Sequence, residues 1–166
     1  AVALVGLPGA GKSAVGRRLG MRLDLPFIDT DHVIEQRIGC SIRDYFEREG
    51  EVAFRDLEQT VIADLAANAQ GVLATGGGAV LREANRTQLR DHFHVIYLRS
   101  SPEDLFRRLR HDVKRPLLQV ADPLGRLLEQ GVEALERHGE VRTALRCRDR
   151  VHLVDDDRLD AEQRLA

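Results

Sequence analysis

The chain has 166 residues, with 25 lysines and arginines against 27 aspartates and glutamates, for a net charge of -2 at pH 7. That length suits one domain with a central sheet and helices on both faces, and so balanced a charge excludes a global pull toward nucleic acid or an anionic membrane. Any anion site must be local. Cys40 and Cys147 lie far apart with no C-x-x-C pairing, which argues against zinc and for free thiols in a reducing compartment. No apolar run approaches the roughly 20 residues needed to span a bilayer, and no signal peptide precedes the first strand, so the expectation is a cytoplasmic protein.

Residues 1–5 form an apolar run that predicts a buried strand. Gly6-Leu7-Pro8-Gly9-Ala10-Gly11-Lys12-Ser13 follows, fits G-x-x-x-x-G-K-[ST], and leads into a helical stretch. The glycines fall where a strand must turn tightly into a helix. Backbone N–H groups of Gly9, Ala10, Gly11, Lys12, Ser13 and Ala14 can then surround phosphate oxygens, helped by the partial positive charge of the helix N-terminus. Lys12 would reach the β- and γ-phosphates, and the Ser13 hydroxyl would ligate Mg2+. This is a P-loop phosphate site.

Over residues 13–23, Val15, Leu19 and Leu23 recur at i, i+4 and i+8, predicting a helix that packs on the sheet through these side chains. A short strand is expected over 26–28, with Asp29-Thr30-Asp31 at its carboxyl end, where open α/β sheets bind ligands. Two carboxylates spaced i, i+2 can both serve the phosphate end of the site, although either one could instead cap a helix over 31–38. Ser41-Ile42-Arg43-Asp44 has capping-box form and starts a short helix ending near Gly50, and a longer helix follows over 51–67. Within it Arg55 and Glu58 share a face at i, i+3. As a surface pair they would be worth at most about 1 kcal/mol; as a pocket pair they would hold a guanidinium pointed at a carboxylate ligand.

Residues 72–74 predict the next strand, which runs into Thr75-Gly76-Gly77-Gly78. Three successive glycines cost roughly 1 kcal/mol each in backbone entropy relative to alanine, a cost that a ligand pressed against the backbone would explain. A fourth strand is expected over 95–98, and Ser101-Pro102-Glu103-Asp104 opens a helix with N-cap, N1 proline and acidic first turn. The alternation of strand and helix indicates a parallel sheet. Residues 107–116 carry six basic side chains, counting His111, and end at Pro116. Taken alone such a charge run is a solvated face, but a basic, proline-bounded loop in this place also suits a lid closing over a nucleotide, with arginine neutralising charge on a transferring phosphoryl group.

Together these residues resemble the shikimate kinase family. The match rests on the P-loop, Asp29-Thr30-Asp31, Phe54-Arg55, Gly76-Gly77-Gly78 and Lys114-Arg115-Pro116-Leu117-Leu118, in the family's order, and covers about residues 1–122. It implies one three-layer α/β/α domain over 1–166 with a P-loop kinase fold and a five-stranded parallel sheet. A shikimate-binding helical region would lie at about 30–60 and a lid at about 111–122. The implied activity is transfer of the γ-phosphoryl group of ATP to the 3-hydroxyl of shikimate, in aromatic amino-acid biosynthesis, by a monomer acting on a small molecule. By the resemblance, Lys12 contacts the phosphates, Ser13 and Asp29 serve Mg2+, and Asp31 contacts the acceptor hydroxyls as candidate base. Arg55 binds the acceptor carboxylate, Glu58 orients Arg55, and Gly76, Gly77 and Gly78 line the acceptor site. Arg115 closes over the phosphates, and Arg108 stacks near adenine.

The tail departs from that pattern. The family's Arg-x-Pro-x-Tyr segment is represented by Arg137-His138-Gly139-Glu140-Val141, without proline or tyrosine. Arg137 is the second candidate anchor for the acceptor carboxylate, and Arg142 is its rival. A fifth strand is expected over 150–154 and a terminal helix over 159–165. Two other readings stand beside the kinase: a P-loop kinase for another small polar acceptor, and a nucleotide-binding module whose degraded acceptor site has lost catalysis.

Overall fold

Strand β1, Val2–Val5, feeds two cores at once because successive side chains in a strand point to opposite faces. Ala3 and Val5 join one buried cluster with Ile62, Leu73, Leu89 and Tyr97, while Leu4 joins another with Val72, Ile96, Leu98 and Leu105. The computed structural model describes residues 1–101, 104, 105 and 108, and the backbone of 143–148 and 150–155. Helix α1, Lys12–Leu23, covers one face of the sheet. Helices α3, Ile42–Ala67, and α4, Glu83–His92, cover the other. The three layers expected from the sequence are therefore present.

The parallel strands β2, Phe27–Asp29, β3, Val72–Ala74, and β4, His94–Arg99, complete the central sheet in the order β2-β3-β1-β4. The five-stranded parallel sheet needs correction. Beyond β4 come β5, Thr143–Arg148, parallel to it, and β6, Arg150–Asp155, antiparallel to β5. The stretch expected as a fifth parallel strand is thus the sixth, and it reverses direction. With a single residue, Asp149, between β5 and β6, no helical crossover can intervene, and the two strands can pair only as a tight antiparallel hairpin.

Helix α1 also differs from its apolar pattern. Its buried positions are Lys12, Gly16 and Gly20, with Val15 and Leu19 partly buried beside them, and Leu23 is half exposed. The helix approaches β2 so closely that a Cβ on Gly16 would collide with the Phe27 ring. Two glycines one turn apart make that approach possible, so the contact face is set by missing side chains.

Helix α2, Thr30–Ile38, starts at Asp29, whose carboxylate accepts from the Asp31 N–H at 3.1 Å. Helix α3 starts at Ser41, which accepts from the Asp44 N–H. The break expected near Gly50 is there, with φ 82° and ψ 176°, a conformation open to glycine alone. A third cluster of Ile34, Phe54 and Val61 joins α2 to α3, with the Phe46 and Phe54 ring centroids 5.3 Å apart. After β4, the Ser101 hydroxyl accepts from the Asp104 N–H, as an N-cap should. The lid region at 111–122, Arg115, Arg137, Arg142 and the terminal helix over 159–165 lie outside the described residues.

Candidate active site

Sheet register brings the functional loops to one level. Leu4 and Asp29 both pair with Ala74, so the loop after β1, the acidic end of β2 and the glycine turn after β3 leave the sheet side by side. In such a sheet this carboxyl edge is where ligands bind. A cleft of about 210 Å³ opens there, lined by Gly9, Gly11, Lys12, Ser13, Ala14, Asp29, Asp31, Thr75 and Gly77.

The P-loop wraps this cleft with Gly6, Gly9 and Gly11 at positive φ. Lys12 is buried, and its ammonium donates to Gly6 O at 2.7 Å and Leu7 O at 3.0 Å. The Ala10 N–H donates to Leu7 O inside the loop and its methyl sits in the core, so Ala10 shapes the loop from behind. Ser13 Oγ donates to Asp29 Oδ2 at 2.6 Å, bringing a hydroxyl and a carboxylate oxygen together beside the phosphate end. Asp29 does two jobs: one oxygen caps α2 and the other meets Ser13.

The three glycines after β3 each face a different neighbour. A Cβ on Gly76 would lie 2.7 Å from Glu58 Oε1 and 2.9 Å from Asp31 Oδ1; one on Gly77 would meet the Pro8 ring at 2.5 Å; one on Gly78 would meet the Arg55 guanidinium at 2.5 Å. The entropy cost of the run is thus offset by packing the turn against the site's own side chains.

Arg55 and Glu58 form a buried pair, with Nη1 donating to Glu58 Oε2 at 2.6 Å and exposures of 8% and 1%. Burial pushes the Glu58 carboxyl above the ordinary carboxylate range. The Arg55 guanidinium opposes that rise, and the charge of Asp31 adds to it. Because the pair is desolvated, breaking it from one side costs about 3–5 kcal/mol, well above the value of a surface pair.

Several supporting residues escaped sequence reasoning. Thr30, fully buried, accepts from the Gly76 N–H at 2.9 Å and ties the acidic corner to the glycine turn. Asn85 Nδ2 donates to Ala79 O, and Arg86 donates to Val80 O and Leu81 O, so the first turn of α4 holds the carbonyls that follow the glycines. Arg82 bridges that turn to Asp56 at 2.6 Å and to Gln59 at 3.1 Å on α3. The only signal for Thr30 was its place between the two aspartates; the partners of Asn85, Arg82 and Arg86 are set by tertiary contacts. Arg108, expected near adenine, donates to Gly9 O at 3.1 Å and so reaches the rim of the P-loop.

A sheet whose first strand runs into a lysine- and serine-bearing glycine loop, with Asp29 ending β2 and Asp31 in the first turn of α2 at the same sheet edge, defines a P-loop kinase fold. The family model described as "SKI: Shikimate kinase" matches residues 8–163. The shikimate kinase of Paracidovorax citrulli is 65% identical over 128 residues, covering 76% of this chain and 70% of that one, and the Ralstonia nicotianae enzyme is 56% identical over 128 residues, covering 77% and 67%. The solved shikimate kinase of Acinetobacter baumannii in complex with shikimate superposes with a TM-score of 0.83 at 38% identity, covering 89% of this chain and 83% of that one. The chain belongs to the shikimate kinase family.

Proposed function

We infer that this protein transfers the γ-phosphoryl group of ATP to the 3-hydroxyl of shikimate. The observation that carries the reading is the joining of two half-sites through one glycine turn. Gly77 packs on Pro8 of the phosphate loop, while Gly78 packs on the Arg55 guanidinium. A phosphate donor and a carboxylate-bearing acceptor would therefore meet across that turn.

Lys12 would bind the β- and γ-phosphates, and backbone N–H groups of the loop would take the remaining oxygens. Arg55, held by Glu58, would bind the acceptor carboxylate and fix the ring's orientation. Asp31 then faces the acceptor hydroxyl, which attacks the γ-phosphorus as the bond to the bridging oxygen breaks; the hydroxyl proton passes to Asp31, and ADP leaves. Phosphoryl transfer proceeds through a loose transition state, so positioning and charge neutralisation matter more than a strong base. Asp31 must come within about 3 Å of the hydroxyl in the closed complex.

Ser13 Oγ and Asp29 Oδ2, two hard oxygen donors 2.6 Å apart, fit Mg2+. When bound there, the ion would neutralise charge on the phosphate oxygens. Arg115 in the lid and Arg137 or Arg142 in the tail complete the proposal, as a phosphate clamp and a second carboxylate anchor. The proposal is completed by a cytoplasmic monomer acting on a small-molecule substrate; among the described residues no helix is long and apolar enough to cross a membrane.

A coupled assay of ADP release with Mg2+ and ATP, with and without shikimate, tests the reading. Shikimate-dependent turnover is expected. ATP binding by calorimetry without any turnover would favour a nucleotide-binding module with a degraded tail.

A further inference from the structure

Arg55 carries two carboxylate neighbours, and they are not equivalent. Glu58 is buried and takes Nη1 at 2.6 Å, whereas Glu51, on the preceding helical turn, is half exposed with Oε1 3.6 Å from Nε. That distance is too long for a hydrogen bond, and the buried Nε has no such partner among the described residues. Glu51 is also the first residue past the Gly50 break, where helix α3 resumes.

We propose that Glu51 is a displaceable carboxylate that competes with the acceptor's carboxylate for the Nε side of Arg55, and so sets acceptor affinity and selectivity. The inference rests on the reading that Arg55 binds the acceptor carboxylate. A solvated anion near a buried guanidinium is held loosely, because water already satisfies it and screens the attraction. It partly balances Arg55 in the free protein and opposes any second anion that approaches. A planar carboxylate able to hydrogen-bond Nε directly displaces it, whereas a weakly coordinating anion does not. The plainer role for an acid in this place is to complement the dipole of the resuming helix, and that role predicts a change in stability without a change in acceptor affinity.

The test compares initial rates for wild type, Glu51→Gln, Glu51→Asp and Glu49→Gln, with shikimate and ATP each varied, at low and moderate salt. Glu49 serves as the charge-matched control because it is exposed and paired with Arg48 at 2.7 Å. Glu51→Gln is expected to lower KM for shikimate about three- to fivefold, as fits an exposed ion pair, with kcat within about twofold and KM for ATP unchanged. Glu51→Asp, which withdraws the carboxylate but keeps the acid at the helix start, should also lower KM. The differences should shrink as salt rises. An unchanged or higher KM in Glu51→Gln, or an equal fall in Glu49→Gln, overturns the proposal while leaving the kinase reading intact. Absence of shikimate turnover in the wild type removes the kinase reading itself, and the proposal with it.

Discussion

Lys12 is held inside the loop that it serves, by hydrogen bonds to Gly6 O and Leu7 O. Phosphate binding would exchange those carbonyls for charged oxygens at little cost in side-chain ordering, because the ammonium is already immobilised. Lys12→Ala is expected to lower kcat at least roughly 100-fold, by comparison with loss of a single transition-state donor, and near-wild-type turnover would remove its assigned role. Arg55 poses a different problem, since its partner Glu58 is only 1% exposed. Arg55→Ala should raise KM for shikimate much more than it lowers kcat, because a contact to a remote carboxylate is largely uniform binding. The same variant should lose about 3–5 kcal/mol of stability in denaturant unfolding, because Glu58 is left buried without its countercharge. An unchanged KM would place the acceptor carboxylate elsewhere.

At the scale of elements, the glycine turn after β3 is a spacer between two half-sites, and substitutions along it should separate them. Gly78→Ala would press on the far end of the Arg55 side chain, whereas Gly77→Ala would press on Pro8, including its backbone nitrogen at 3.0 Å. Each overpacking costs about 1–3 kcal/mol. Gly78→Ala should raise KM for shikimate alone, and Gly77→Ala should raise KM for both shikimate and ATP; identical kinetic profiles for the two would contradict the division. Thr30→Val removes the acceptor for the Gly76 N–H inside a dry contact. It should cost about 1–3 kcal/mol in stability. The Asp-Thr-Asp corner could be read for its two acids, because acids at a strand's carboxyl end already suggest a ligand. Its threonine could not, since the partner lies 46 positions away in a different loop.

The fold as a whole buries a carboxylate beside the glycine turn, and stability should report it. The folded state raises the Glu58 pKa above its ordinary value, so between the two values the folded chain holds a proton that the unfolded chain has lost. That contribution to stability is complete below the ordinary glutamate range and disappears as pH rises through the raised value. Glu58→Gln should flatten this fall in a series of denaturant titrations across pH; parallel profiles for wild type and variant would show that Glu58 titrates normally.

The sequence by itself determined the P-loop, the acidic corner, the shared helix face of Arg55 and Glu58, the Gly50 break and the order of strands through β4 with the helices before β3, but not helix α4. These are local matters: a glycine where φ must be positive, an acid where a helix begins, two side chains one helical turn apart. The tertiary structure alone decided which neighbours meet across distance. It seated α1 on Gly16 and Gly20 in place of Leu23, turned the glycine run toward Pro8, Glu58 and Arg55, brought Arg108 to Gly9, and gave the sheet its antiparallel sixth strand. Close packing of a helix or loop depends on the shape of the opposing surface, and that surface is assembled from strands whose register no single segment encodes.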